Sequence, residues 1–162
     1  MELKINKKGN KTEIYQEITL LIQEMLNQPY KSVLLSGSLA ILKEYLPNIN
    51  WVGIYLIKDN KLVIEIYQGE YAQPLIELNK GLTSQCFLTK KIILENDVST
   101  NCQHIACSLL SKSEIVIPLL VEVTPSGVLD VDSSQVNNFD EIDKKYLAII
   151  TAYLTFGILK LN

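Results

Sequence analysis

The sequence predicts one α+β domain in which a mostly antiparallel sheet of about six strands is flanked by N-terminal and C-terminal helices. Two segments with helical apolar spacing come first, followed by β-branched and aromatic segments that are separated by turn residues. An apolar segment of helical length closes the chain. With 162 residues, 48% of them hydrophobic, the chain is long enough to bury one core, so residues 1–162 are predicted to form a single domain.

The first two elements are helices. In residues 11–27 the apolar side chains recur every three or four positions, which indicates an amphipathic helix. Residues 31–46 show the same spacing and stop before Pro47, because a proline disfavours helical geometry in the residue ahead of it. We therefore expect both helices to precede the first strand.

The strands follow as two hairpins with short elements between them. Residues 51–57 and 62–67 flank a turn at residues 58–61, and residues 114–123 and 127–132 flank a turn at residues 124–126. Short strands at residues 75–78 and 91–94 enclose a short helix at residues 81–88. Residues 97–113 are the least regular segment. The last helix is expected to begin near Phe139, where Asp140 and Asp143 resemble a capping pair.

Composition narrows the functional classes. The net charge is -3 and the basic residues are dispersed, so no patch for nucleic acid is expected. Residues 1–11 lack an export signal, and the apolar stretch at residues 146–161 is shorter than the roughly 20 residues that span a bilayer. Three cysteines are an odd number, which favours a reducing compartment over a disulfide framework. We expect a cytoplasmic protein that binds neither nucleic acid nor a membrane.

Asp130 and Asp132 are two residues apart in a strand that is otherwise apolar, so both carboxylates project from one face. Glu114 begins the preceding strand and is able to approach the same face. Such a group would suit a cationic ligand, such as an amino acid ammonium, or would supply a proton donor with a raised pKa. The alternative is that these carboxylates face water at the ends of the sheet.

Cys107 lies in the irregular segment just before the Glu114 strand, where a thiol would be at the edge of the sheet. His104, the only histidine, would lower the pKa of that thiol if it lay nearby, or would simply bond to the loop backbone. One histidine without a Cys-x-x-Cys pair is a weak zinc signal, so no metal is predicted.

Trp51 and Tyr55 share one face of the first strand. They would either wall a pocket for a thioether-like side chain or pack in the core, which is the commoner position for aromatic residues.

Five ordered motifs in this sequence resemble those of the free methionine-(R)-sulfoxide reductases, a family with the GAF fold. They are NWVGIY at 50–55, QG at 68–69, HIAC at 104–107, SEIVIPL at 113–119 and GVLDVDS at 127–133, followed by Phe139 and Asp140. The similarity runs from about Asn50 to the final helix. The resemblance implies a GAF-like domain with an antiparallel sheet between helices, in agreement with the element order above.

The resemblance also implies residue roles. Cys107 occupies the position of the reactive cysteine, while Trp51 and Tyr55 match pocket aromatics. The free amino acid would be held by carboxylates at Glu114, Asp130 and Asp132. The implied reaction reduces free methionine (R)-sulfoxide without a cofactor: a thiolate attacks the sulfoxide sulfur and becomes a sulfenic acid. A second thiol then forms a disulfide, which thioredoxin or a small thiol reductant opens.

The sequence departs from the family at four positions, two of which are Ser84 in place of a glycine and Ser108 where the family commonly has Asp. Gln73 and Thr83 stand where family members usually have cysteines. Cys102 is therefore the candidate resolving thiol, provided that the chain between it and Cys107 curls back on itself. Cys86 is its rival for that role, and it is otherwise an inert packed thiol.

Two other functions stay open on the sequence alone. One is a non-catalytic GAF sensor or binding module for a free amino acid or a similar small molecule. The other is a purely structural GAF dimerisation domain, against which the preserved pocket residues weigh. The apolar closing helix is compatible with a homodimer.

Overall fold

The computed structural model describes Ile5, residues 9–100 and residues 110–161. Its sheet has six strands, all paired antiparallel, in the order β3-β2-β1-β6-β5-β4. The prediction of an α+β fold with about six strands and flanking helices is confirmed. The elements are α1 (Lys11–Met25), α2 (Lys31–Tyr45), β1 (Ile49–Lys58), β2 (Lys61–Gln68), β3 (Leu75–Glu77), α3 (Gly81–Thr89), β4 (Ile93–Glu95), a 3-10 turn (Val98–Thr100), β5 (Ser113–Val121), β6 (Thr124–Ser133) and α4 (Glu141–Lys160).

Side-chain caps define the starts of the first and last helices. Asn10 caps α1 and Asp140 caps α4. In each capping box the backbone N–H of the cap residue also donates to the side chain three positions on, Glu13 or Asp143. These bonds satisfy backbone N–H groups that have no partner within the helix. The predicted capping pair at Asp140 and Asp143 is confirmed.

The two hairpins have tight turns, and the second differs from its predicted position. Asp59 and Asn60 both have positive φ, as a two-residue hairpin turn requires. In the second hairpin the turn lies at Glu122 and Val123, and β6 already begins at Thr124, so the predicted turn at residues 124–126 was wrong. Pro125 is tolerated because it lies at the start of β6. Pairing of β6 with β1 begins only at Gly127, so Pro125 has no partner on β1 to which a backbone N–H would donate.

The sheet packs on both faces. Helices α1, α2 and α4 cover one face and enclose the main core, to which Val52, Ile54, Leu129 and Val131 contribute from the strands. A smaller apolar cluster lies on the opposite face beneath α3, and it contains Trp51, Tyr55, Leu62, Ala72, Ile76, Leu82, Cys86, Phe87, Val116 and Val128. Of the residues singled out in the sequence, six lie on this second side of the sheet: Trp51, Tyr55, Cys86, Glu114, Asp130 and Asp132.

A buried polar contact joins α1 to α4. The Asp143 carboxylate is 3% exposed, forms an ion pair with Lys11 and accepts a hydrogen bond of 2.7 Å from the Tyr15 hydroxyl. Burial raises the pKa of Asp143, although both donors act in the opposite direction. The contact fixes the N-terminal helix against the C-terminal one. None of the helices in the described ranges is both long and apolar enough to cross a membrane.

Candidate active site

The register of the sheet brings the predicted site residues into adjacent rows. Trp51 pairs with Asp132, and Asp132 pairs with Glu114 on the other side. Residues directly opposite one another on paired strands project from the same face. The first row across the sheet is therefore an aromatic side chain followed by two carboxylates.

The next row on this face runs through Gly53, Asp130 and Val116. Gly53 leaves room for the indole ring of Trp51, because a Cβ at this position would lie 2.1 Å from the Cη2 atom of Trp51. The ring therefore extends over the backbone of the residue opposite Asp130. Trp51 walls the group of carboxylates along one side.

Glu114, Asp130 and Asp132 form a compact trio. One carboxylate oxygen from each lies within 4.8 Å of those of the other two, and the residues are 3%, 0% and 0% exposed. The alternative that these side chains face water is therefore wrong. Two carboxyl groups at this separation hydrogen-bond to each other only if one of them carries a proton.

Burial raises the pKa of Glu114 well above its usual range, and the nearby Asp132 carboxylate raises it further. Burial likewise raises the pKa of Asp132, with the Asp130 carboxylate as the second cause and the Ser111 hydroxyl as a smaller opposing one. Neither carboxylate oxygen of Asp132 meets hydrogen-bond geometry with a donor in the described part of the chain. The trio therefore favours either protonation or a cationic ligand group.

Trp51 and Tyr55 are both 0% exposed, and their polar atoms bond to the β2–β3 connection. The Trp51 Nε1–H donates to the carbonyl of Glu70 at 3.1 Å, and the Tyr55 hydroxyl donates to the carbonyl of Gln73 at 3.0 Å. The Trp51 ring stacks on Tyr67, with 5.7 Å between ring centroids. These aromatics pack in the smaller core, which was one of the two predicted alternatives, and their role as walls of a ligand pocket stays a prediction.

Cys86 is a buried thiol beside the same group. It projects from α3, is 0% exposed, and its Sγ lies 3.5 Å from the Val116 carbonyl oxygen. Burial and the nearby Asp130 carboxylate both raise the pKa of this thiol. The structure therefore supports the interpretation of Cys86 as a packed thiol, since thiolate formation is disfavoured there.

Cys102, His104 and Cys107 lie outside the described residues, so their predicted roles remain predictions. Gln73 and Thr83, which stand in place of the two usual cysteines, are both described. Gln73 is exposed on the connection above Tyr55, whereas Thr83 is buried in α3.

Sequence reasoning missed the polar residues at the edge of the trio. Asn50 donates from its side-chain amide to the Ser111 hydroxyl at 3.2 Å, and Ser111 lies beside Asp132. Asn50 is the first residue of the NWVGIY motif at 50–55, and its place in that motif was the available signal. Ser111 gave none, because its segment has no periodicity.

The chain is similar to known proteins along most of its length. It is 34% identical over 146 residues to the free methionine-R-sulfoxide reductase of Escherichia coli, an alignment covering 90% of this chain and 88% of that protein. The corresponding protein of Saccharomyces cerevisiae is 31% identical, covering 85% of this chain and 82% of that protein.

The chain belongs to the free methionine-R-sulfoxide reductase family.

Structural comparison agrees with this membership. The free methionine-R-sulfoxide reductase of Neisseria meningitidis, solved in complex with its substrate, superposes with a TM-score of 0.89 at 32% identity, covering 94% of this chain and 93% of that chain. The chain is also similar to a relative named only for the GAF domain: GAF domain-containing protein A of Dictyostelium discoideum is 41% identical, covering 91% of this chain and 94% of that protein. No protein-family model matches the chain.

Proposed function

We propose that this protein reduces free methionine (R)-sulfoxide to methionine, with Cys107 as the nucleophile. The observation that carries the proposal is the buried trio of carboxylates beside Trp51, in a chain of the free methionine-R-sulfoxide reductase family. The proposal places the ammonium group of the amino acid at the trio and its methyl sulfoxide end against the aromatics.

The geometry of the trio suits an ammonium group. Charge-assisted N–H···O bonds are about 2.7–2.9 Å long, so a tetrahedral ammonium holds three acceptors roughly 4.6 Å apart. The three carboxylate oxygens lie within 4.8 Å of one another. The same spacing also accepts a hard divalent cation. The names of the relatives favour the amino acid, and a peptide-bound sulfoxide would present an uncharged amide at this position.

The position of Cys107 in the chain is compatible with this role. Cys107 is four residues before Ser111, so the covalent chain alone keeps its Cα within about 14 Å of the Ser111 Cα. Ser111 lies beside Asp132. Chain connectivity therefore permits the thiol to reach the trio, as the proposal requires.

The proposed reaction proceeds in two half-reactions. The Cys107 thiolate attacks the sulfoxide sulfur while an acid delivers a proton to the oxygen. The oxygen transfers to Cys107 as a sulfenic acid and methionine leaves. The Cys102 thiol then displaces water to form a disulfide, and thioredoxin or a small dithiol supplies two electrons to restore both thiols.

The deciding experiment is an assay of methionine release from separated (R)- and (S)-sulfoxides, with and without thioredoxin. Release from the free (R)-sulfoxide alone is expected.

The second candidate function is a non-catalytic GAF binding module, favoured by Gln73 and Thr83 at the usual cysteine positions and by the GAF-named relative. Binding of the amino acid without methionine release would support that module and contradict the reductase.

We also propose a homodimer formed through α4. This helix leaves an apolar stripe exposed at three- and four-residue spacing, which matches the seam of paired helices. The stripe consists of Ile149, Ala152, Phe156 and Leu159. Light scattering after size-exclusion chromatography should give twice the 18.3 kDa chain mass for the wild type and the mass of one chain for Phe156→Glu. A monomeric wild type would contradict the proposal.

A further inference from the structure

Asn50 lies in a β-bulge at the start of β1. Ile49 pairs with Ser133, and Trp51 pairs with the adjacent residue Asp132, so Asn50 is an extra residue in β1. Ile49 belongs to the main core beneath the helices, whereas Trp51 belongs to the cluster on the opposite side of the sheet. Residues two apart share one face of a regular strand, so the bulge reverses the alternation of side chains at this point.

This reversal brings the Asn50 side chain to the site side of the sheet. Its amide donates to the Ser111 hydroxyl at 3.2 Å, and Ser111 lies beside Asp132. Ser111 is 9% exposed and Asp132 is 0% exposed, so water competes little for this contact. Bulges beside active sites commonly redirect a side chain in this way. Asn50, Ser111 and Asp132 therefore form one connected polar series.

The effect of Ser111 on Asp132 depends on the orientation of the hydroxyl hydrogen. A serine hydroxyl rotates until a partner fixes it. The Ser111 oxygen accepts from Asn50, so its own hydrogen points away from the amide, and the polarised hydroxyl becomes a stronger donor. Asp132 lies outside strict hydrogen-bond geometry with this hydroxyl, yet the hydroxyl opposes the rise in the pKa of Asp132. The contact thus acts through the direction of the hydroxyl dipole.

The other titratable groups of this region, within the described ranges, are acids. They are Glu114 on β5, Asp130 on β6, Glu95 on β4 and Cys86 on α3. A negative charge on any of them disfavours a negative charge on Asp132. The Ser111 hydroxyl acts in the opposite direction, because it favours the ionised form of Asp132.

We propose that Asn50 is a positioning residue, which orients the Ser111 hydroxyl towards Asp132 and so makes Asp132 the ionised carboxylate that receives the ammonium group of the ligand. Asp132 lies between Trp51 and Glu114 in the first row across the sheet, so its charge is central to the site. The identity of the ligand, free methionine sulfoxide, rests on the proposed function, whereas the orientation of Ser111 does not. Asn50 acts through Ser111 and does not itself contact the ligand.

The first test is a double-mutant cycle on ligand affinity, measured by titration calorimetry with free methionine sulfoxide. Asn50→Ala and Ser111→Ala should each raise the dissociation constant by roughly 2–12-fold, the equivalent of one net hydrogen bond. The double variant should bind within about twofold of Ser111→Ala, because Asn50 has no further effect once the hydroxyl is gone.

Ser113→Ala is the matched control, since it removes a buried serine hydroxyl that donates to the Gln135 carbonyl instead. It should bind the ligand like the wild type. Additive losses in the double variant would show that Asn50 and Ser111 act independently and would overturn the proposal. Wild-type affinity in Asn50→Ala would also overturn it.

The second test needs no ligand and follows the Asp132 carboxyl carbon by carbon-13 NMR, with the signal identified by its loss in Asp132→Asn. Its titration midpoint should rise by roughly 0.3–1 pH unit in Asn50→Ala and Ser111→Ala, because both weaken the contact that favours the ionised form. Ser113→Ala should keep the wild-type midpoint. Asn50→Leu has the shape of asparagine without its donor, and it repeats the measurement if Asn50→Ala does not fold.

An unmoved midpoint in the Asn50 and Ser111 variants would overturn the positioning role whatever the ligand. If the wild type binds no methionine sulfoxide, the proposed function fails, and the positioning role is then judged on the titration midpoint alone.

Discussion

Glu114 and Asp132 are direct cross-strand partners on β5 and β6, although both carry carboxylates and are 3% and 0% exposed. Like charges opposite one another destabilise a sheet, and burial increases that cost. Asp130 in the next row brings a third carboxylate to the same place. The sheet therefore holds an arrangement that a proton or a ligand cation stabilises.

Removing one charge from the trio should stabilise the ligand-free protein. We expect Asp132→Asn to raise the melting temperature at pH 7 by about 2–4 °C, because a gain near 1 kcal/mol produces a shift of that size in a chain of this length. The same variant should bind free methionine sulfoxide at least tenfold more weakly. Scanning calorimetry measures the melting temperature, and titration calorimetry measures the binding affinity. Asp59→Asn in the exposed β1–β2 turn is the control, and an equal rise in both variants would contradict this explanation.

Stability should decrease as pH rises. The pKa values of Glu114 and Asp132 are raised in the folded state, whereas unfolded carboxyls titrate near pH 4. The native state therefore binds more protons than the unfolded state above about pH 4. Each of the two groups then lowers the free energy of unfolding by up to about 1.4 kcal/mol per pH unit, until the pH passes its folded-state pKa. Urea unfolding from pH 5 to 8 should show this slope in the wild type and a shallower one in Asp132→Asn. Identical slopes would mean that Asp132 does not titrate in this range.

Cys107→Ser should abolish methionine release from the free (R)-sulfoxide while leaving the thermal unfolding transition unchanged. The reason is that a serine hydroxyl cannot accept the sulfoxide oxygen in the way that a thiolate does. Cys86→Ala is the matched control and should keep its activity, because the Cys86 thiol is buried with a raised pKa. Full activity in Cys107→Ser would remove the assigned nucleophile.

Treatment of the reduced protein with one equivalent of methionine sulfoxide should produce a disulfide between Cys102 and Cys107, detected by peptide mapping. A bond between Cys86 and Cys107 would instead assign the resolving role to Cys86 and require α3 to move, since its thiol is buried. A sulfenic acid that persists on Cys107 would show that the resolving thiol comes from another molecule.

The contact between α1 and α4 should contribute measurably to folding. Lys11→Met leaves the buried Asp143 carboxylate without its cation, at an expected cost of about 2–3 kcal/mol in the free energy of unfolding. Lys144→Met removes the exposed Lys144–Glu141 pair and should cost less than about 0.5 kcal/mol. Urea denaturation compares the two variants, and equal costs would show that burial of Asp143 is not what matters.

Local sequence patterns determined the elements of this protein. Apolar spacing predicted both N-terminal helices, turn residues predicted the hairpins, and Asp140 with Asp143 predicted the start of α4. The alternation of a strand placed Asp130 and Asp132 on one face, because successive side chains point to opposite faces whatever the strand pairs with. The five sequence motifs, in addition, predicted the family.

Tertiary structure alone decided what those residues face. The opposition of Trp51 and Asp132 depends on the register between β1 and β6. These strands are distant in sequence, so no local pattern encodes their register. Burial of the trio and of the Cys86 thiol depends on α3, and the position of residues 69–74 depends on hydrogen bonds from Trp51 and Tyr55 on another strand. The sequence by itself thus determined which groups one strand presents together, whereas packing between strands and helices decided which of them meet, because register and burial are non-local properties.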